Sequence, residues 1–201
     1  RVILIGIKSN SVNNPQELLK HFYEDILPKY KSKKVFDLGS AIGDLPPIYP
    51  VTPYKENGKN ISHKVYGHTD LTWHVPRYQN ERDIEVFKKL CKDIEDKTNL
   101  YSSTSNLIKL YEETTGKKTS VHKYHVLRKD EPSTTILAHL HKDGFRFIHY
   151  DSKQARTITV REAARIQTFA DDFDFPCSMG AAYKMIGNAV PSLFAKKLDR
   201  K

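Results

Sequence analysis

The spacing of apolar positions changes several times along the chain, and each change marks an element. Val2-Ile3-Leu4-Ile5-Gly6-Ile7 is a short, mostly β-branched run closed by Lys8-Ser9-Asn10, which predicts a buried strand. Helical spacing follows: Leu18, Leu19, Phe22 and Ile26 share one face, Asn14 is placed to cap the start, and Pro15 suits the first turn. Pro28 ends that pattern, and the basic run from Lys29 to Lys34 reads as a solvated face before it reads as a phosphate track. From Val35 to about Lys64 the chain is punctuated by Gly39, Gly43, Pro46, Pro47, Pro50, Pro53 and Gly58. This predicts loop with short extended pieces, and a domain boundary.

Helical spacing returns at Ile84, Phe87, Cys91 and Ile94 behind the cap residue Asn80, and a shorter helix through Leu107, Leu110 and Tyr111 should end at Gly116. Cys91 thereby falls in the core. Between Val121 and Tyr150 short apolar pieces alternate with His, Lys and Arg and are broken by Pro132 and Gly144, as small strands with basic connections would be. Thr159-Val160-Arg161-Glu162 has the spacing of a capping box, in which hydroxyl and carboxylate each satisfy a free backbone donor at a helix start. A helix through Ala163, Ala164 and Ile166 should follow. Beyond the acidic turn Asp171–Asp174, Ile186-Gly-Asn-Ala-Val-Pro191 leads to a last helix carrying Leu193, Phe194 and Leu198, and Gly187-Asn188 permits a tight backbone approach.

Composition narrows the class. A hydrophobic content of 38% with 10% aromatics in 201 residues supports a packed core in one ordinary domain or two small ones. Because Arg1 opens directly into an apolar run, the chain is expected to be a piece of a longer polypeptide. There is no signal-peptide pattern and no run of about 18 apolar residues, so the expected location is cytoplasmic and no membrane partner is expected. Thirty-three Lys and Arg against 24 Asp and Glu give a net charge of +9, which favours a polyanion such as DNA or RNA. The Gly- and aromatic-rich signatures of the common RNA modules are missing. Cys91 and Cys177 have no CxxC spacing and no His cluster nearby, so neither a disulfide nor a metal site is expected.

Arg156-Thr-Ile-Thr-Val-Arg-Glu-Ala-Ala-Arg-Ile-Gln-Thr-Phe169, followed by Ile186-Gly-Asn-Ala-Val-Pro191, resembles motifs IX and X of the DNA cytosine-5 methyltransferases. Glu131-Pro-Ser-Thr-Thr-Ile-Leu-Ala138 is similar to the family's segment leading into motif IX, and Ala41-Ile-Gly-Asp-Leu-Pro46 to the segment opening its variable region. The opening run resembles the end of motif VIII, with Arg1 on the second Arg of a Gln-x-Arg-x-Arg pattern. Residues 51–120 match loosely, where the family places its target-recognition region. A capping box or a Gly-Asn-Ala-Val-Pro turn alone is commonplace; their order and separation carry the resemblance.

The resemblance implies an α/β fold, here a mixed α+β fragment. A small target-recognition domain would be joined to a terminal strand and helix belonging to a Rossmann-like, S-adenosylmethionine-dependent methyltransferase domain. The implied divisions are 1–35 for the end of the catalytic core, 36–155 for target recognition, and 156–201 for motifs IX and X. In this family the target cytosine is flipped from double-stranded DNA, a cysteine thiolate attacks ring carbon six, and a methyl group passes from S-adenosylmethionine to carbon five. The Gly-rich cofactor loop, the Pro-Cys-Gln nucleophile loop and the Glu-Asn-Val segment do not occur in this sequence. Pro176-Cys177-Ser178 lies between motifs IX and X and lacks the Gln, so Cys177 reads as a small apolar residue near a turn. The chain alone is therefore expected to be inactive and to need an N-terminal catalytic half, in the same or a separate chain, within a restriction-modification setting and associated with the nucleoid if bacterial. The alternative is a free-standing, non-catalytic, sequence-selective DNA-binding module.

Carried over residue by residue, the resemblance makes Arg1 an auxiliary contact to the flipped cytosine or its phosphate. It places Asn188, Ala189 and Phe169 beside the methionine part of the cofactor, and gives Arg156, Arg161, Glu162 and Arg165 a scaffolding role. Thr135 matches a family Thr beside the DNA backbone. Arg128, Lys129, His139, His141, Lys142 and Arg146 flank it as a phosphate-binding stripe. Arg77 and Arg82, with Tyr78 and Asn80, are candidate base readers because Arg pairs bidentately with guanine and Asn with adenine; a surface helix start is the other reading of that segment. Ala170 and Ser192 depart from prolines frequent in the family.

Overall fold

The computed structural model describes residues 6–31 and 33–199, so Arg1 and most of the expected opening strand lie outside the described residues. The chain divides into a smaller unit, Arg1–Val35 with Lys196–Lys201, and a larger one, Phe36–Ala195. The larger unit runs across residue 155 without a break.

In the smaller unit, α1 (Pro15–His21) starts at Asn14, whose side chain accepts from the Glu17 amide at 3.3 Å and donates to its carboxylate at 2.6 Å. The helical path continues to Tyr30, but Phe22–Ile26 is π-helical and Leu27–Tyr30 is a 3-10 helix. Pro28 accounts for the departure from a regular α-helix. It has no N–H for the carbonyl four residues back, and its ring excludes that carbonyl, so one turn widens and the next tightens.

The larger unit begins with α2 (Leu38–Ile42), capped by Asp37 on the Ser40 amide at 2.7 Å. Its first amides donate to the carbonyls of Glu131 and Lys129 at 2.9 and 2.8 Å, which fixes this short helix to a distant loop. β1 (Ile48–Glu56) and β2 (Lys59–Val65) then form an antiparallel hairpin. Asn57 and Gly58 turn it with φ of 48° and 76°, the left-handed pair that matches strand twist. The stretch expected as loop with short extended pieces therefore holds a helix, and its extended pieces pair into a complete hairpin. Pro50 and Pro53 are tolerated because a two-stranded ribbon has outward edges and because the register shifts between Pro50 and Tyr54.

α3 (Glu81–Glu95) is capped by Asn80, which accepts from Asp83 at 2.8 Å, and buries Ile84, Phe87, Leu90 and Cys91. α4 (Thr104–Thr115) ends at Gly116, left-handed at φ 69°. With Tyr124, Val126 and Ile148 these helices enclose one hydrophobic cluster. The small strands expected from Val121 to Tyr150 reduce to single-residue bridges of Ile148 with Val126 and with Thr157. Backbone bonds still tie the pieces, as from the Leu127 amide to the Ile148 carbonyl at 2.9 Å, but the intervening turns leave each piece too short for a strand.

A second cluster centres on α5 (Val160–Ile166), packed between α2 and α6 (Met179–Asn188). Val160, Ala163 and Ala164 are fully buried, and the two alanines let the neighbouring helices approach. On α6, a Cβ at Gly187 would stand 2.6 Å from the Leu137 carbonyl oxygen, so that contact is possible only for glycine. α7 (Ser192–Asp199) follows. The described chain is thus a mixed helix-and-strand structure, and none of its described helices is long and apolar enough to cross a membrane.

A buried imidazole joins the hairpin to the rest. His63 meets the Ser62 hydroxyl at 2.9 Å through Nδ1 and the Gln154 carbonyl at 3.0 Å through Nε2. Burial, reinforced by the Arg156 charge, lowers His63 to about 4 and His149 to about 3. Both rings are neutral near pH 7, so the 3.8 Å approach of His149 to Glu162 is not an ion pair there. Once unfolded, each ring takes a proton near 6.5. The unfolded state therefore binds more protons as pH falls below about 6.5, and stability should fall by on the order of 1.4 kcal/mol per pH unit for each ring until its folded value is reached. Urea unfolding midpoints should drop steadily from pH 7 to pH 5; an unchanged midpoint would show that these rings are not held neutral.

Candidate nucleic-acid interface

The motif IX-like segment Arg156–Phe169 places its charges inside the fold. Arg156, 1% exposed, donates bidentately to Glu162 at 2.6 and 2.7 Å, twice to the Gln154 side-chain oxygen at 2.7 and 3.1 Å, and to the Thr157 carbonyl at 3.1 Å. Those bonds draw on every nitrogen of the guanidinium. Glu162 also accepts the Thr159 amide at 2.7 Å, while Thr159 Oγ1 accepts the Glu162 amide at 3.1 Å. Burial would raise the Glu162 carboxyl, but the Arg156 charge and hydrogen bonds outweigh it and hold the group at about 2.

Arg161 and Arg165 continue the pattern on α5. Arg161 donates to the Thr72 carbonyl and hydroxyl, both at 2.9 Å, and to the carbonyls of Ala170 and Phe173 at 3.2 and 2.9 Å. Arg165 grips Asp171 bidentately at 2.8 Å and reaches Asp44 at 2.6 Å. Side-chain bonds to these carboxylates raise its already high pKa further. Each arginine thus ties α5 to segments remote in sequence.

The end of α5 fixes motif X through two residues that sequence reasoning did not single out. Gln167 Nε2 donates to the carbonyls of Ile186 and Ala189 at 3.0 and 3.2 Å. The Thr168 hydroxyl accepts from the Leu193 amide at 3.1 Å, and the Ser192 hydroxyl donates to the Thr168 carbonyl. The polar partner supplied by Ser192 thus anchors a turn where the family often has proline. Asn188 is exposed at the end of α6. Phe169 packs against Phe173 and Phe175, with ring centroids 5.0 and 5.7 Å away. Cys177 is half-buried, with Sγ 3.9 Å from Met185 Sδ. Cys91 is fully buried; burial pushes its thiol up, and it donates to the His149 carbonyl at 3.2 Å.

A cleft of about 380 Å³ opens between the Arg77–Asn80 segment, residues 121–123 and residues 142–146. Arg77, Lys123, Lys142 and Arg146 line it against the carboxylates of Asp83 and Asp143. Lys123 and Lys142 are exposed and pair with no carboxylate among the described residues. Arg146 donates to the His122 carbonyl at 3.0 Å, which joins two walls. His122 and Lys123 were missed because no local pattern marks them; only this long-range pairing brings them in.

The other expected contacts are dispersed. Arg77 enters the cleft, but its guanidinium lies 3.6 Å over the Tyr183 ring and donates to the Leu140 carbonyl at 3.0 Å. Arg82 donates twice to Asp83, at 2.8 and 3.0 Å. Thr135, Arg128 and Lys129 are exposed and are not among the residues lining the cleft. Nor is His141, whose Nδ1 is buried without a hydrogen-bond partner.

The sequence profile of the C-5 cytosine-specific DNA methylase family matches residues 1–201. Among curated proteins the chain is 30% identical to a candidate type II methyltransferase of Oceanobacillus iheyensis, over 96% of this chain and 51% of that protein. It is 34% identical to a type II methyltransferase of Bacillus paralicheniformis over 65% of this chain and 29% of the relative. A third, from Thalassovita gelatinovora, is 43% identical over 38% of this chain and 17% of its own length. The chain thus spans about half the length of the first relative, and the matches to the others cover less of each.

The geometry of Arg77 separates a scaffolding role from a DNA contact. Arg77→Ala removes both the Leu140 bond and the stacking on Tyr183, so it should lower unfolding free energy by about 2 kcal/mol. A variant as stable as the wild type but weaker in duplex binding would place Arg77 on the DNA instead.

Proposed function

The chain belongs to the C-5 cytosine-specific DNA methylases, and on that premise we propose that it supplies the target-recognition and C-terminal part of a DNA cytosine-5 methyltransferase. The whole enzyme would transfer a methyl group to carbon five of cytosine within one double-stranded sequence. It would serve a restriction-modification system, in keeping with the type II methyltransferase names of the relatives, in the cytoplasm and on the nucleoid.

One observation carries this reading: the cations are divided between two tasks. Arg156 and the arginines of α5 are consumed by internal partners, whereas Lys123 and Lys142 of the cleft remain exposed. Neutralising phosphates with such side chains gives binding that weakens steeply with salt and positions the duplex without reading it. Thr135, Arg128, Lys129 and His141 extend the backbone contacts in this account.

The nucleophile belongs to the complementary part. Cys177 is not assigned that role, because a thiolate nucleophile needs an electropositive partner and its sulfur lies 3.9 Å from the Met185 sulfur. S-adenosylmethionine, when bound, supplies the electrophilic methyl group. The described residues fit one margin of its site: Gln167 fixes the Ile186–Ala189 backbone and leaves Asn188 outward, with Phe169 following Thr168. In this reading Asn188, Ala189 and Phe169 border the methionine part, and Arg1 reaches the flipped base or its phosphate.

Complementation tests the proposal. The 201-residue chain should transfer no labelled methyl group to duplex DNA by itself. It should do so when mixed with a polypeptide carrying the Gly-rich, Pro-Cys-Gln and Glu-Asn-Val segments. Transfer by the chain alone would overturn the assignment, as would a folded, DNA-binding mixture that stays inactive; the latter, with selective binding by the chain alone, would favour the free-standing module.

A further inference from the structure

The hairpin stands further from the fold than packing requires. Its base is locked: the Ile48 amide donates to Gln154 Oε1 at 3.0 Å, and His63 engages the Gln154 carbonyl at 3.0 Å. Every residue from Thr52 to Asn60 is exposed, and beyond the Tyr54–Ile61 pair both faces of the ribbon lack a covering layer. At about 3.3 Å per residue the arm reaches roughly 10 Å past its last half-buried position, Ile61 opposite Tyr54. The Asn57-Gly58 turn closes it tightly, which keeps the tip a narrow two-stranded ribbon.

The tip is polar and carries directional groups. Lys55 faces Asn60 across the ladder, so both project from one side, and Glu56 faces Lys59 on the other. Two lysines against one carboxylate leave the tip cationic. Its root adjoins the basic cleft: Pro53 shares a surface depression with Tyr78, Asn80 and Arg82, and Tyr78 and Asn80 also line the cleft that holds Lys123 and Lys142. Arm and cleft therefore follow one another along one surface.

We propose that this hairpin enters a groove of the duplex and reads bases, while the adjacent cleft holds the phosphate backbone. The inference rests on the DNA-methylating reading above and names its specificity element. A two-stranded ribbon fits the major groove, where lysine donates to guanine O6 and N7 and asparagine pairs with adenine N6 and N7. Lys55 and Asn60 are the groups placed to do so. Arg77 and Arg82 are held by Leu140, Tyr183 and Asp83, which leaves base reading to the outward groups of the arm.

The test is selection from a randomised duplex library, followed by anisotropy titrations over a range of salt. It uses the full chain, alone and mixed with the catalytic polypeptide. Wild type should enrich one sequence. Lys55→Ser with Asn60→Ser should lose at least about tenfold of the preference for that sequence over random duplex, while its random-duplex affinity changes by less than about threefold. Lys123→Ala with Lys142→Ala should weaken both duplexes alike and reduce the log-affinity against log-salt slope by about two. A tip variant that keeps the wild-type preference overturns the hairpin assignment and leaves the methyltransferase reading standing. Wild type that binds no duplex at low salt, in either form, overturns both.

Discussion

Arg156 and Glu162 form a buried bidentate ion pair, and much of the larger unit is arranged by the need to satisfy it. Two charges removed from water are tolerated only when geometry is good and the remaining donors and acceptors are filled. Here Gln154, Thr157 and Thr159 fill them. The consequence spreads through Gln154, whose side-chain oxygen also accepts the Ile48 amide and whose carbonyl takes His63. The base of the hairpin is thereby referred to the same pair that starts α5, and an exposed arm is given a fixed root.

The two arginines of α5 act outward from that centre. Arg161 collects Thr72, Ala170 and Phe173, Arg165 collects Asp44 and Asp171, and Gln167 holds the motif X backbone. A helix of only seven residues, Val160–Ile166, could not position so many segments by apolar burial alone. Its polar side chains do so at the cost of being unavailable to a ligand. In the proposed function, contact with DNA falls to side chains that the interior does not use, the lysines of the cleft and the tip of the arm.

What was legible in the sequence was local. Asn14, Asn80, Gly116 and the Thr159–Glu162 box announce helix ends because each acts on backbone within a few residues. Apolar spacing placed Phe87 and Cys91 in the core for the same reason. The hairpin was hidden because Pro50 and Pro53 read as loop punctuation; Asn57-Gly58 between two polar-apolar stretches was the signal that outweighed them. The bonds that define the site were not legible. Gln154 meets Ile48 across 106 positions, Arg165 meets Asp44 across 121, and Lys123 joins Lys142 only through the fold. The family resemblance supplied roles for the motif IX arginines, whereas their partners came from geometry.

The central claim is that the buried charges of Arg156 and of α5 hold the larger unit together from within. A double-mutant cycle on Arg156→Met and Glu162→Gln, read as unfolding free energy in urea, tests it most directly. Each single change strands the opposite charge in the interior and is expected to cost about 3–5 kcal/mol, with the double change costing at least about 2 kcal/mol less than the sum. Additive losses, or single variants within about 0.5 kcal/mol of wild type, would contradict the account.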